Sequence, residues 1–198
     1  MQKLLSKPLR KLLIFLPILI LIGCAATKQP IFLSSTFGQE RVENIFVLPI
    51  VDQRFNKEPE LPKLDKWVQG MVKGQLKSKK YTFTLVSDRS IVDNITEEDL
   101  KEVDTEWVKN LGPSGSRWVI VMVLLDARSK LTFGSTGNAE LSGYLFDKKD
   151  GSMLWRDKGI GKVGQGGLIG MVMKGMMLGD AINMATSDLM RSFPKNEM

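Results

Sequence analysis

Trp118-Val-Ile-Val-Met-Val-Leu-Leu125 is the most apolar of the strand-like runs in the chain. It carries no charge and is rich in β-branched side chains. That composition describes a strand covered on both faces, which therefore lies inside a sheet. Toward the N-terminus a second such run, Asn44-Ile-Phe-Val-Leu-Pro-Ile-Val51, predicts another strand. Pro49 has no N–H to donate, so that side of the strand belongs at an edge or an end. Between the two runs, Asp52 to Lys63 contains Pro59 and Pro62 and reads as a loop. A helix from Leu64 to about Lys79 follows, with Leu64, Trp67, Val68, Met71, Val72 and Leu76 on one face. Gly70 and Gly74 weaken it or mark a close approach to the sheet. Tyr81 to Val86 alternates as a strand. Thr96 to Asp99 has the form of a capping box, opening a helix whose stripe is Leu100, Val103, Trp107, Val108 and Leu111. Gly112-Pro113 stops it.

Beyond Leu125, Asn138 to Phe146 predicts a strand, Lys148-Lys149-Asp150-Gly151 a hairpin turn, and Met153 to Arg156 the returning strand. A last helix carries Leu178, Ala181, Ile182, Ala185, Leu189 and Phe193 on one stripe and ends near Pro194. The order β-α-β-α-β-β-β-α predicts an α/β fold leaning to α+β. It is a mixed five-stranded sheet with helices packed on it. Residues 44–194 are expected to form a single globular α/β domain, with 195–198 a tail.

The N-terminus has a different character. Lys3, Lys7, Arg10 and Lys11 precede Leu12 to Ile22, which holds no charge and one proline, Pro17. A basic n-region and a short apolar h-region describe a signal peptide. As a helix the run would span roughly 17 Å, against the ~30 Å hydrocarbon core a transmembrane helix must cross. Leu21-Ile22-Gly23-Cys24 closes the run and resembles the lipobox of bacterial lipoproteins. The resemblance implies a signal peptide over 1–23, cleavage between Gly23 and Cys24, and acylation of Cys24, palmitate included. Two acyl chains already anchor a protein stably to a membrane. Ala25 stands where an Asp would resemble an inner-membrane retention mark. This favours the outer membrane, facing the periplasm, in a Gram-negative cell. Residues 24–43 show no period and read as a flexible tether, ~25 Å root-mean-square and ~60 Å at full extension. Within it, Ile31-Phe32-Leu33 can dock on the domain or on the bilayer.

Loss of residues 1–23 leaves 175 residues, enough for one domain that buries about 70% of its unfolded surface. Four of the 28 cationic side chains leave with the signal. The remaining 24 face 22 acids, and the surface is nearly balanced, with no case for nucleic acid. The basic cluster Lys77 to Lys80 ends a predicted helix, where it complements the helix dipole. There is no histidine, which removes the commonest general base and metal ligand. The single cysteine, Cys24, excludes an intrachain disulfide and, once lipidated, soft metal sites. No catalytic residues, cofactor or metal site are expected.

The lipobox, the tether, the Ile45-Phe-Val-Leu-Pro49 strand and the late hairpin with Trp155 after Asp150-Gly151 together resemble a group of envelope lipoproteins. These are related to the TolB N-terminal domain and the curli-secretion lipoprotein. The similarity covers roughly Asn44 to Phe193. It implies a membrane-anchored, non-catalytic accessory or assembly subunit of an envelope complex. Its partners would be the membrane through the acyl chains, other envelope proteins, and a homo-oligomer. The alternative it implies is an oligomeric, lipid-interacting or secretion-channel-type lipoprotein using the Gly/Met-rich segment 159–179. Against a channel, Leu131 to Leu145 offers one modest strand, where membrane hairpins need about 9–11 residues per strand.

Two stretches invite a site. Gly159-Ile-Gly-Lys-Val-Gly164 matches G-x-G-x-x-G, but no strand follows the last helix to supply the ribose-reading acid, so no nucleotide is expected. In the wider segment, Gly166/Gly170 and Gly175/Gly179 have G-x-x-x-G spacing, with Met171, Met173, Met176 and Met177 among them. One reading is a flexible loop leading into a helix whose methionines fill the core. The other is an adaptable surface for a partner or lipid. Finally, Asp52 and Arg54 follow the first strand and Asp126 and Arg128 the third. If those strands are parallel, the four gather at one sheet edge, as solvated ion pairs or as a polar docking site.

Overall fold

The run at Trp118 does lie inside a sheet. The structure, a computed structural model, describes residues 28–57, 60–132, 134–166 and 174–196. In chain order the elements begin with β1 (Phe32–Leu33), β2 (Asn44–Val47), β3 (Val51–Asp52), α1 (Leu64–Ser78) and β4 (Thr82–Leu85). A 3-10 turn at Arg89–Ile91 leads to α2 (Glu97–Lys101) and α3 (Thr105–Lys109). The last four are β5 (Trp118–Thr132), β6 (Gly134–Asp147), β7 (Ser152–Gly166) and α4 (Lys174–Arg191).

The sheet runs β1-β7-β6-β5-β2-β4, with β3 beside the far half of β5. β2 pairs in parallel with both β4 and β5, while β5, β6 and β7 form an antiparallel meander. The expected α/β class and element order hold, with two short strands added to the expected five. One is Val51–Asp52, which the sequence joined to the strand starting at Asn44. Pro49 separates them: the backbone bonds to β5 through Leu48 N and returns in register at Val51. The other is β1. The capping box forms as expected, with Thr96 Oγ1 accepting from Asp99 N and the Asp99 carboxylate accepting from Thr96 N. Its helix is short, because Asp104 acts as a new N-cap, accepting from Glu106 N, and starts α3.

Two apolar layers flank the sheet. On one face α1 and α4 bury Val68, Val72, Ile182 and Leu189 against Ile120, Met122, Leu141 and Trp155. On the other, Val92, Ile95, Leu100 and Val108 cover Val119, Val121, Tyr144 and Phe146. The largest departure from expectation is the meander. β5 runs to Thr132 and β7 to Gly166, where the sequence ended them at Leu125 and Arg156. The extended part has α4 on one face. Gly159 and Gly161 of β7 lie directly under the helix. A Cβ on either would fall inside the van der Waals shell of the carbonyl oxygens of Ala185 and Ala181, respectively. Glycine here sets how close the helix sits.

Candidate functional site

Residues 28–40 are held on the domain. Lys28 Nζ pairs with the carboxylates of Asp157 at 3.0 Å and Asp188 at 3.1 Å and donates to the Lys158 carbonyl. Asp157 is buried and also accepts from Ser192 Oγ at 2.6 Å. Phe32 and Leu33 then pair with Arg156 and Trp155 of β7, and Ser34 N donates to the Leu154 carbonyl. Phe37 meets the Phe193 ring edge-on at 6.3 Å. Glu40 bridges Lys149 and Arg117, whose hydrogen bonds hold its carboxyl below the usual range. The flexible tether expected over 24–43 is thus corrected for residues 28–43, which are laid along the domain by paired charges, backbone bonds and ring contacts. Lys28 lies four positions after Cys24, a backbone reach of at most ~14 Å. Gly23 and Cys24 themselves lie outside the described residues.

Asp52 and Arg54 pair at the end of β3, and Arg54 also donates to the Lys57 carbonyl. Arg54 is 4% exposed and donates from Nε and Nη2 to the two Asp52 oxygens, each at 2.9 Å. Burial pushes the Asp52 carboxyl up, but the hydrogen bonds and charge of Arg54 outweigh it and hold it below the ordinary value. The pair lines a polar cleft of about 540 Å³ with Lys57, Arg89, Asn94 and Thr96. Because this carboxyl is depressed in the fold, its contribution is present above the ordinary carboxylate value and is lost as pH falls through the folded value. Asp52→Asn removes the charge-assisted hydrogen bonds that the buried Arg54 makes to this carboxylate, and a loss of about 1.5–3 kcal/mol is expected. Urea titrations across pH check this: the parent should lose stability on the acid side, and the variant should lose less there.

Asp126 and Arg128 do not follow a strand, since β5 continues through both. They occupy alternate positions on one face, with Arg128 Nε donating to Asp126 Oδ2 at 2.8 Å. β3 is parallel to β5 and Asp52 is in register with Leu124, so both pairs lie along the same part of the sheet. Each arginine closes on the aspartate two residues before it.

The Gly/Met segment divides. Gly159 to Gly164 lies within β7, in a strand and not in a strand-to-helix turn, which corrects the loop expected there. The physical reason is the pairing of this stretch with β6 from Gly159↔Leu141 to Gly164↔Thr136. Gly166 ends β7, exposed, with open space where a Cβ would be. Gly170 and Met171 lie outside the described residues. Gly175 falls in the first turn of α4. Gly179 is buried with its Cβ position 3.5 Å from the Trp67 indole, so it serves α1–α4 packing. Met177 is buried and Met176 exposed.

The sequence reading missed the open face of the meander, the side away from α4. Arg156, Lys158, Ile160 and Lys162 alternate along β7 on this face, with Gly159 and Gly161 turned to the helix. The period-2 alternation of long and small residues was the available signal. On β5, Arg128 and Lys130 share the face; its acids are Asp126, Glu140 and, from α2, Glu97, which accepts from Ser142 Oγ and Tyr144 OH and pairs with Lys101. Lys158 pairs with Glu140 at 3.0 Å.

Among the described residues no helix is long and apolar enough to cross a membrane. No family model matches the chain, and no curated protein matches it. Among solved structures the chain is similar to PelC from Paraburkholderia phytofirmans, a dodecamer. The TM-score is 0.46 at 12% identity, covering 79% of this chain and 91% of that one. It is similar to lipoprotein GNA1162 from Neisseria meningitidis, with a TM-score of 0.43 at 15% identity over 68% of this chain and 94% of that one. The LpoB C-terminal domain from Escherichia coli aligns with a TM-score of 0.35 at 14% identity, covering 60% of this chain and 81% of that one.

Proposed function

We propose that this chain is a lipoprotein of the bacterial envelope. Acyl chains on Cys24 would tether it, at the outer membrane facing the periplasm if the cell is Gram-negative. It would work without catalysis, as an accessory or assembly subunit that docks other envelope proteins. The observation that carries the reading is Leu21-Ile22-Gly23-Cys24 at the end of an apolar run too short to span a bilayer. The absence of histidine, with carboxylates such as Asp52 and Asp126 engaged by arginines, supports a binding role over chemistry. Intact mass of the protein extracted from membranes tests it. A mature chain starting at an acylated Cys24 is expected, and an unmodified N-terminus or a retained Met1 would overturn the reading.

The second reading is a channel-type oligomer. Strand length does not oppose it, since β5 and β6 have 15 and 14 residues. Charge does: Arg128, Lys130, Lys158 and Lys162 lie on the open face, and each cation at mid-bilayer costs about 2–4 kcal/mol. In this conformation the meander is unsuited to facing hydrocarbon.

A further inference from the structure

We infer that the open face of the β5–β6–β7 meander is a second membrane contact, lying on the headgroup layer of a bilayer that contains anionic lipid. The inference rests on the lipid anchor proposed above. Lys28, clamped on Asp157 and Asp188, stands four residues from Cys24. The edge of β7 is therefore held within ~20 Å of the acylated residue, four backbone steps plus the length of the lysine side chain. The domain cannot hang free at that distance, and one of its surfaces rests against the bilayer.

Two observations select the surface. The first is charge. Arg128 and Lys158 on the open face are matched by Asp126 and Glu140. Glu97 also meets this face at Ser142 and Tyr144 but is itself paired with Lys101, so Lys130, Arg156 and Lys162 remain beyond the matched pairs and the face has an excess of three cations, while the chain after residue 23 is nearly neutral. Anionic headgroups complement such an excess. The second is the apolar residues placed among these cations. Ile160 is 54% exposed between Lys158 and Lys162, and Phe32, 40% exposed, is in register with Arg156. An aromatic or aliphatic side chain beside lysines whose stems reach outward suits the water–lipid interface. The opposite face of the same strands is taken by α4, so among the described residues this is the exposed side.

The lipidated protein is reconstituted in vesicles of phosphatidylethanolamine with phosphatidylglycerol and in vesicles of phosphatidylcholine alone. Cys24 is the sole cysteine and is acylated, so a cysteine introduced elsewhere takes a bimane dye alone. Thr136→Cys reports from the exposed central strand of the open face, between Lys130 and Gly164, and Met184→Cys from exposed helix on the other side. Quenching by lipids with a headgroup-level nitroxide should be at least threefold stronger at position 136 than at 184 in the anionic vesicles. Lys130→Glu with Lys162→Glu should bring it down to the level at 184, with the protein still on the vesicles. Equal quenching at both positions, or quenching at 136 unchanged by the charge reversals, would sink the second contact while leaving the anchor intact. Quenching at 136 that needs another envelope protein present would instead make this a protein-docking face and overturn the lipid assignment. Protein that fails to stay on vesicles and carries no acyl chain would overturn the anchor and the contact together.

Discussion

Gly161→Ala, the addition of one methyl group, should prise α4 off the sheet. The new Cβ would overlap the carbonyl oxygen of Ala181 and crowd the amide of Ala185 and the carbonyl carbon of Ala181. These are backbone atoms, so no rotamer change relieves the clash, and the helix or the strand must shift. Overpacking ordinarily costs about 1–3 kcal/mol, and a rigid backbone obstacle puts this site at or above the upper end. Gly164→Ala, on the same strand, is the internal control. Its Cβ would meet the Thr136 methyl at 3.5 Å and the Ser135 carbonyl oxygen at 4.0 Å, both ordinary contacts. Urea melts of the two variants separate the cases: Gly161→Ala should lose 3 kcal/mol or more, by that estimate, and Gly164→Ala should stay within ~0.5 kcal/mol of the parent. If both variants melt together, the helix does not rest on the glycines.

Phe193→Ala should be comparably damaging. Phe193 is 1% exposed and its ring is met edge-on by Trp155 at 5.0 Å, Tyr81 at 5.4 Å and Phe37 at 6.3 Å. It is the hub through which the end of α4, the strand β7, the turn after α1 and the N-terminal segment share one core. Truncating a buried phenylalanine costs about 3–5 kcal/mol, and each edge-to-face pair adds up to about 1 kcal/mol. The burial of Tyr81 beside it, which pushes its hydroxyl up to about 12, should relax in the variant, so tyrosine should ionise at lower pH. Residues 34–40 should also exchange amide hydrogens faster, because Phe37 loses its ring partner. Phe37→Ala, truncating a partly buried residue, should cost less than Phe193→Ala. Equal costs would mean that Phe193 is not the hub.

Much of the fold was legible because period and composition agreed with it. The helix at Leu64 kept its stripe, the run at Trp118 lies between β2 and β6, and the capping box at Thr96 formed. The sequence failed where tertiary contact overrides local signal. Lys158 to Gly166 has glycines where strands want β-branched residues, and it is a strand because β6 pairs with it and α4 needs the space. Residues 28–43 have no period, yet Lys28 finds Asp157 and Asp188 from more than a hundred positions away. No local rule announces such a partner. At the candidate sites, the ion pairs of Asp52 with Arg54 and Asp126 with Arg128 were legible as close neighbours in sequence. The cationic face of the meander was not, since it gathers residues from separate strands.

The clasp of Lys28 and β1 on β7 also sets an order of events. β1 pairs with residues about 120 positions downstream, and Lys28 reaches Asp188 in the final helix. A chain delivered N-terminus first has none of these partners while its first residues emerge. The segment beside Cys24 stays extended until β7 and α4 have arrived, and it is among the last parts to close. If Cys24 is the acylated residue proposed above, enzymes that cut and acylate there would meet a slack strand, and residues 28–33 would close onto the domain only afterwards.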